Sequence, residues 1–254
     1  MNGNHVPPRT RLLLHAGVAV PVVFWAALAL CALQLGDYSH WSNLVSELGA
    51  AGTETRVLFA TGLLLCALLS VAFAVGLIIE CRRRRITPIP ALVIFLYSFS
   101  IAGAAIFPMP HRLHGLLGSP AILVLLSPVL AAVLWRKGVK LRSLAPVAII
   151  SFVVMALGFL VFVPSVLAEY VGFKQRLFHA GWSIWFGYLS LGFSGVFDRV
   201  REKPLGAGFV PGRSGSRQHV GRAAGPAPSR SWQGRVRASP RLTDELPTLA
   251  VRRW

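Results

Sequence analysis

The chain has 254 residues, of which 54% are hydrophobic and only 14% charged, with a mean hydropathy of +0.61. Its 26 Lys and Arg residues against 9 Asp and Glu give a formal net charge of +17. Soluble domains carry roughly a quarter charged residues, so this composition excludes a soluble enzyme and requires apolar and basic residues to occupy separate stretches. They do. Residues 12–197 hold 12 basic and 5 acidic side chains, whereas 198–254 hold 12 basic and 4 acidic in under a third of that length.

In chain order, residues 1–11 form a short basic lead containing Arg9 and Arg11, followed by an apolar run over 12–35. That run is long for a signal-peptide core and long enough to cross a bilayer, and no small-x-small cleavage site follows it. Leu30 stands before Cys31 where a lipoprotein site needs a small residue, so the first span is expected to stay uncleaved. Five further stretches free of Asp, Glu, Lys and Arg follow at 57–79, 86–110, 113–135, 143–168 and 177–197. Each exceeds the roughly 20 residues that a helix needs to cross about 30 Å of hydrocarbon. A bilayer satisfies no lone backbone polar group, and these runs lack the alternation of a membrane barrel. The expected fold is an all-α bundle of six transmembrane helices. Pro21, Pro120, Pro128, Pro146 and Pro164 are expected to kink their helices. Cys31, Cys66 and Cys81, an odd and scattered set, are expected to be small packing residues. In the last span His179, Ser183, Gly187, Ser190 and Ser194 fall near one face, a stripe expected to admit a neighbouring backbone.

The tail, 198–254, contains 6 Pro and 7 Gly and little apolar periodicity, which predicts disorder. Its basic residues suit anionic lipid at the cytoplasmic leaflet. Without an accompanying domain or an aromatic platform they do not read as a nucleic-acid arm, and no nucleic-acid partner is expected. A weak terminal helix over 242–251, capped by Thr243, is the only local signal there. Basic residues also set the expected orientation. With both termini cytoplasmic, the inner side carries 22 Lys and Arg, and the outer side only Arg56, Arg112, Lys174 and Arg176.

On that topology the unusual polar residues converge on the outer face. The first outer loop contains Asp37, Tyr38, His40, Ser42, Ser46, Glu47 and Glu54. The second places His111 and His114 after Phe107 and Pro108. The third carries Glu169, Tyr170, Lys174, Gln175 and Arg176, with His179 one turn into the last helix. Glu47, in a stretch (45–49) able to form a short interfacial helix, would be costly at that depth unless paired, with Arg112 or Arg176 as partner. His111 and His114, three apart, share a helix face and with Glu47 would suit zinc. The competing reading has Pro108 and Pro110 shape a tight turn while the histidines cap the fourth helix. His114 and His179 at matched depth would suit a haem, although near the edge of the bundle. No HExxH, GxSxG or phosphate-binding loop supports a particular chemistry.

These residues resemble a known family, the six-helix prokaryotic membrane proteins grouped as domain-of-unknown-function family 998. The resemblance rests on a Ser-x-x-x-Ser-Glu-Leu-Gly-Ala stretch from Ser42 to Ala50, on Phe107, Pro108, His114 and Gly115, and on Gln175 and Arg176 with Trp182 and Trp185 downstream. It covers about residues 12–200. The family usually carries an Asp shortly after Phe-Pro, and here Met109 and Pro110 stand there instead. The family implies no activity. Its layout is distantly similar to the DRAM-like membrane proteins, which raises the expectation of a role with lipids.

The expected function is therefore binding of a lipid headgroup or small polar ligand at the outer cluster. Ser46, Glu47, Arg112, His114, Gln175, Arg176 and His179 are the candidate ligand residues, with the two arginines as anion contacts. The alternative is a metal-dependent lipid hydrolase with His111 and His114 as ligands and Glu47 as catalytic candidate. A transporter is the second alternative, though no ionisable group lies mid-membrane and no inverted repeat is visible. No cofactor is expected; zinc comes before haem if one is present. The expected partners are membrane lipids, and the expected location is the plasma (inner) membrane.

Overall fold

The computed structural model describes residues 6–136, 143–163 and 165–195. Among these residues there are helices and no strands. The α-helices are α1 (Pro8–Gln34), α2 (Arg56–Arg83), α3 (Ile89–Ile106), α4 (Arg112–Gly118), α5 (Leu126–Leu134), α6 (Leu144–Gly158) and α7 (Val171–Phe193). A 3₁₀ segment, Ser119–Leu125, joins α4 to α5, and α6 runs on into a 3₁₀ turn, Phe159–Phe162, so the chain makes six helical spans. Five of them are long and apolar enough to cross a membrane. The sixth, α7, has the length at 23 residues but carries Lys174, Gln175, Arg176 and His179 in its first half.

Several expectations need correction. Lys174, Gln175 and Arg176 do not lie in a loop, because α7 begins at Val171 and takes them into its first two turns. The fourth span is not a continuous α-helix. Pro120 has no N–H to offer the carbonyl of Leu116, and the Ser119 hydroxyl donates to that carbonyl instead at 3.4 Å. Pro21 lies within α1, which continues past it, and Pro128 and Pro146 sit in the first turns of α5 and α6, where a missing N–H costs little. Pro164 and the tail at 198–254 lie outside the described residues.

The spans form a ring in chain order. Each packs against the next, and α7 closes the ring by packing on both α6 and α1. Two glycines make that closure close. A Cβ on Gly158 would collide with the backbone of Phe178, and one on Gly181 with the side chain and backbone of Met155. The small-residue contact of the last span therefore runs through Gly181, whereas a Cβ on Gly187 would meet nothing. Ser183 serves differently: its hydroxyl accepts from Trp25 Nε1 at 3.1 Å and donates to the carbonyl of His179 at 2.6 Å.

Although its sequence is the least apolar, α7 is largely internal, with Ile184 its one exposed residue. Trp182, Trp185, Phe186, Leu189 and Phe193 are all at most 1% exposed. Their polar edges are satisfied as burial demands. Trp185 Nε1 donates to the Ser127 hydroxyl at 2.9 Å, which donates in turn to the carbonyl of Pro90 at 3.0 Å. Cys31, Cys66 and Cys81 are free thiols buried in this interior.

The two ends of the ring differ. At one end Glu80, fully buried, accepts from Arg83 Nη2 at 2.6 Å and Arg84 Nε at 2.8 Å. The Arg84 guanidinium lies 4.9 Å above the ring of Phe193, which packs on Trp135. At the opposite end three connections meet. Ala51 N–H donates to the carbonyl of Met109 at 2.8 Å, and Phe173 N–H to the carbonyl of Trp41 at 3.1 Å. This loop-rich end contains the site.

Candidate functional site

Inside the ring at the loop-rich end lies a cavity of about 460 Å³. Aromatic residues form its floor: Phe24, Tyr97 and Trp182 pack edge to face or tilted, with centroids 5.3 to 5.8 Å apart. Its roof is the segment Val45–Gly49, a single 3₁₀ turn as the spacing of the first loop suggested, with Val45 and Leu48 buried beneath it. The walls come from α2, α3, the α4–3₁₀ segment, the end of α6 and α7. Along α3 the lining runs from Tyr97 to Ala105, about 12 Å at 1.5 Å per residue.

Four of the candidate residues line this cavity: Ser46, His114, Gln175 and His179. Each is anchored by a hydrogen bond that also fixes what its remaining edge can do. Gln175 Oε1 accepts from Val45 N–H at 2.6 Å, which leaves the amide NH₂ as a donor. His114 Nδ1 lies 2.8 Å from the carbonyl of Phe107, an oxygen that can only accept. The ring proton of neutral His114 is thereby on Nδ1, and Nε2 is left as an acceptor. The indole of Trp182 donates to His179 Nδ1 at 3.0 Å, so the proton of His179 is on Nε2, a buried atom with no hydrogen-bond partner. The Ser46 hydroxyl donates to Met109 Sδ at 3.1 Å, keeping its oxygen lone pairs.

The other candidates lie off the cavity wall. Glu47 takes a 2.7 Å hydrogen bond from Asn43 Nδ2 and makes no ion pair with Arg112 or Arg176. Arg112 is exposed on the first turn of α4. His111 is the N-cap of that helix, its Nδ1 accepting from Leu113 N–H at 3.1 Å while its ring packs on Phe107 at 5.2 Å. The capping role expected of both histidines thus falls to His111 alone. Among the described residues no three His, Cys, Asp or Glu side chains gather into a metal-holding group. The set of His111, His114 and Glu47 is divided between a helix cap, the cavity wall and an asparagine.

Arg176 ties the first loop to α7 through both terminal nitrogens, while its buried Nε has no hydrogen-bond partner among the described residues. Its Nη1 donates to the carbonyls of Asn43 at 3.1 Å and Gly172 at 2.9 Å, and its Nη2 to the Tyr38 hydroxyl at 2.6 Å and His40 Nδ1 at 3.1 Å. The approach is close enough that a Cβ on Gly172 would collide with the carbonyl of Asn43. Burial pushes the Tyr38 phenol above its ordinary pKa, against the pull of Arg176. Burial and the Arg176 charge together hold His40 below its ordinary value.

Two residues outside the candidate ligand set also matter here. Tyr97 is 3% exposed, lines the cavity and has no hydroxyl hydrogen bond among the described residues. Lys174 is 1% exposed, its ammonium donating to the carbonyl of Val166 at 2.6 Å. A tyrosine in an apolar run carries no signal of a cavity, and Lys174 reads as a loop residue until the start of α7 is known.

A ring of six helical spans, five of them apolar enough to cross a bilayer, around an apolar cavity with a few placed polar groups defines a multi-pass membrane protein with an internal pocket. Comparison with known proteins places it further: the chain belongs to the family described as protein of unknown function DUF998, whose model matches residues 18–192. No curated protein and no solved structure matches it.

Proposed function

We propose that the cavity binds a membrane lipid, with its polar group near Ser46, His114 and Gln175 and its hydrocarbon against the apolar wall. The observation that carries this reading is the distribution of polarity. The lining is overwhelmingly apolar, and Ser46, His114 and Gln175 sit together where the loops close the ring. Pockets of a few hundred Å³ with an apolar lining and few convergent polar groups are what amphiphilic small molecules need.

A route from the bilayer supports the same reading. The fourth span packs on α6 through α5, but along the 3₁₀ segment the two scarcely touch. A second groove lies there, lined by Ile122, Leu123, Leu125, Leu126, Ala156 and Phe159. Ile122 and Phe159 belong to the cavity wall as well, so groove and cavity share a border without a polar residue on it. We place the loop-rich end outside the plasma membrane and both termini in the cytoplasm, following the distribution of Lys and Arg.

The test is lipid co-purification. Ala104 lines the cavity, and Ala104→Phe would fill it from the wall of α3. Protein extracted in mild detergent should carry a lipid at close to one per chain, and Ala104→Phe should lose it while keeping its elution volume. Equal lipid content in both proteins would refute the reading.

A further inference from the structure

We propose that the lipid bound in the cavity is uncharged and carries a hydroxyl group, an inference that rests on the reading of the cavity as a lipid site. Two independent observations support it. First, among the described residues no Asp, Glu, Lys or Arg lines the cavity. The nearest candidate cations are used or placed elsewhere: Arg176 has both terminal nitrogens occupied by Tyr38, His40 and Asn43 of the first loop and by Gly172 of α7, and Arg112 is exposed away from the wall. A phosphate or carboxylate would enter an apolar space with no countercharge, and the neutral donors of Gln175 and His179 do not offset the desolvation of a full charge.

Second, beneath the loops the protein's own hydrogen bonds fix the polarity of three free edges. The carbonyl of Phe107 holds the His114 proton on Nδ1 and so presents Nε2 as an acceptor. Val45 N–H holds Gln175 Oε1 and so presents the amide NH₂ as a donor. The Ser46 hydrogen points to Met109 Sδ, leaving oxygen lone pairs. These three residues converge, because Gln175 bonds Val45, the neighbour of Ser46, and Ser46 bonds Met109 in the turn leading to His114. A partner for this set must donate and accept at once without charge. A hydroxyl does both. An ester only accepts and leaves His114 Nε2 unpaired, a carboxylate adds charge and likewise cannot donate, and an ammonium donates but cannot accept from Gln175.

The experiment uses the full chain in detergent, titrated by native mass spectrometry with 1-monooleoylglycerol, methyl oleate and oleate, which share one hydrocarbon chain. The diagnostic variant is His114→Asn. The Asn amide takes over the Nδ1 position and its bond to Phe107 but has nothing in place of Nε2. Monooleoylglycerol should bind at least tenfold more tightly than either competitor. His114→Asn should remove about tenfold of that affinity and leave methyl oleate unchanged, the size expected for one hydrogen bond to a buried acceptor. Equal binding of the three lipids, or an unchanged affinity in His114→Asn, overturns the hydroxyl assignment. If those same three bind equally and Ala104→Phe abolishes all of them, the lipid cavity stands and only the hydroxyl falls. If Ala104→Phe binds them as the wild type does, the cavity reading falls too.

Discussion

The two ends of the ring handle charge in opposite ways. At the Glu80 end a buried carboxylate meets two arginines on its own helix, and Trp135 and Phe193 fill the space behind them. Charge is neutralised locally by residues three and four positions away. At the loop-rich end Arg176 reaches no carboxylate among the described residues. Its acceptors are two carbonyls, a phenol and an imidazole, three of them on residues 38–43. Long-range neutral hydrogen bonds hold a roof over a cavity there, and the polar side chains beneath it keep unpaired edges. One end pairs its buried charge at the end of a single helix; the other is vaulted by loops and left hollow.

If the contrast also marks the two sides of the membrane, it can be broken by labelling. The natural cysteines are buried, so they form a silent background. Ser42 and Arg82 are exposed at opposite ends. Ser42→Cys should react with a membrane-impermeant maleimide on intact cells, and Arg82→Cys only after permeabilisation; the reverse pattern would invert the proposed topology. Next in size is the difference between the two arginine systems. Arg176→Ala removes four hydrogen bonds and leaves their acceptors under the loop, at a cost of about 2–4 kcal/mol, and Arg176→Lys should recover little because an ammonium cannot span the same fork. Glu80→Gln should cost less, about 1–2 kcal/mol, since both arginines keep roughly a quarter to a third of their side-chain surface exposed and remain solvated. Thermal denaturation in detergent ranks the two.

The smallest effect is a pH dependence confined to the loop-rich end. His40 is favoured as the neutral base in the fold, where its Nδ1 accepts from Arg176. The unfolded loop takes up a proton more readily than the folded one, so the support from His40 is complete above about pH 6.5 and is lost as pH falls through that value. Hydrogen exchange over 38–43, corrected for intrinsic rates, should accelerate between pH 7.5 and 5.5, and His40→Gln should flatten the profile. The Glu80 end should show no such change.

Much of this architecture was legible in the sequence because bilayer length and backbone satisfaction leave few choices for a charge-free run. The departures have local causes. Pro120 turns part of the fourth span into a 3₁₀ segment, and hydropathy does not register a missing N–H. Helix α7 takes in Lys174, whose ammonium finds carbonyl acceptors at Val163 and Val166 in the connection that precedes the helix, a tertiary fact that makes a lysine look like loop until the partner is seen. The site was half legible. Ser46, His114, Gln175 and His179 stand out as polar residues at span ends, and they do share a cavity. Glu47 and Arg176 stand out for the same reason, yet Asn43 lies between them, accepting from Arg176 through its carbonyl and donating to Glu47 through its amide. Polarity marks a span end; only packing tells a wall residue from a strut.

The bond between Arg176 and the first loop bears on how the protein is made. Residues 38–43 leave the ribosome long before Arg176, which is 133 positions after Asn43. The first two spans can therefore insert with their connecting loop unfinished, and the roof over the cavity is locked only when the last span arrives. The pocket is a product of complete synthesis: a chain cut short before α7 has neither its floor at Trp182 nor the guanidinium that holds its ceiling.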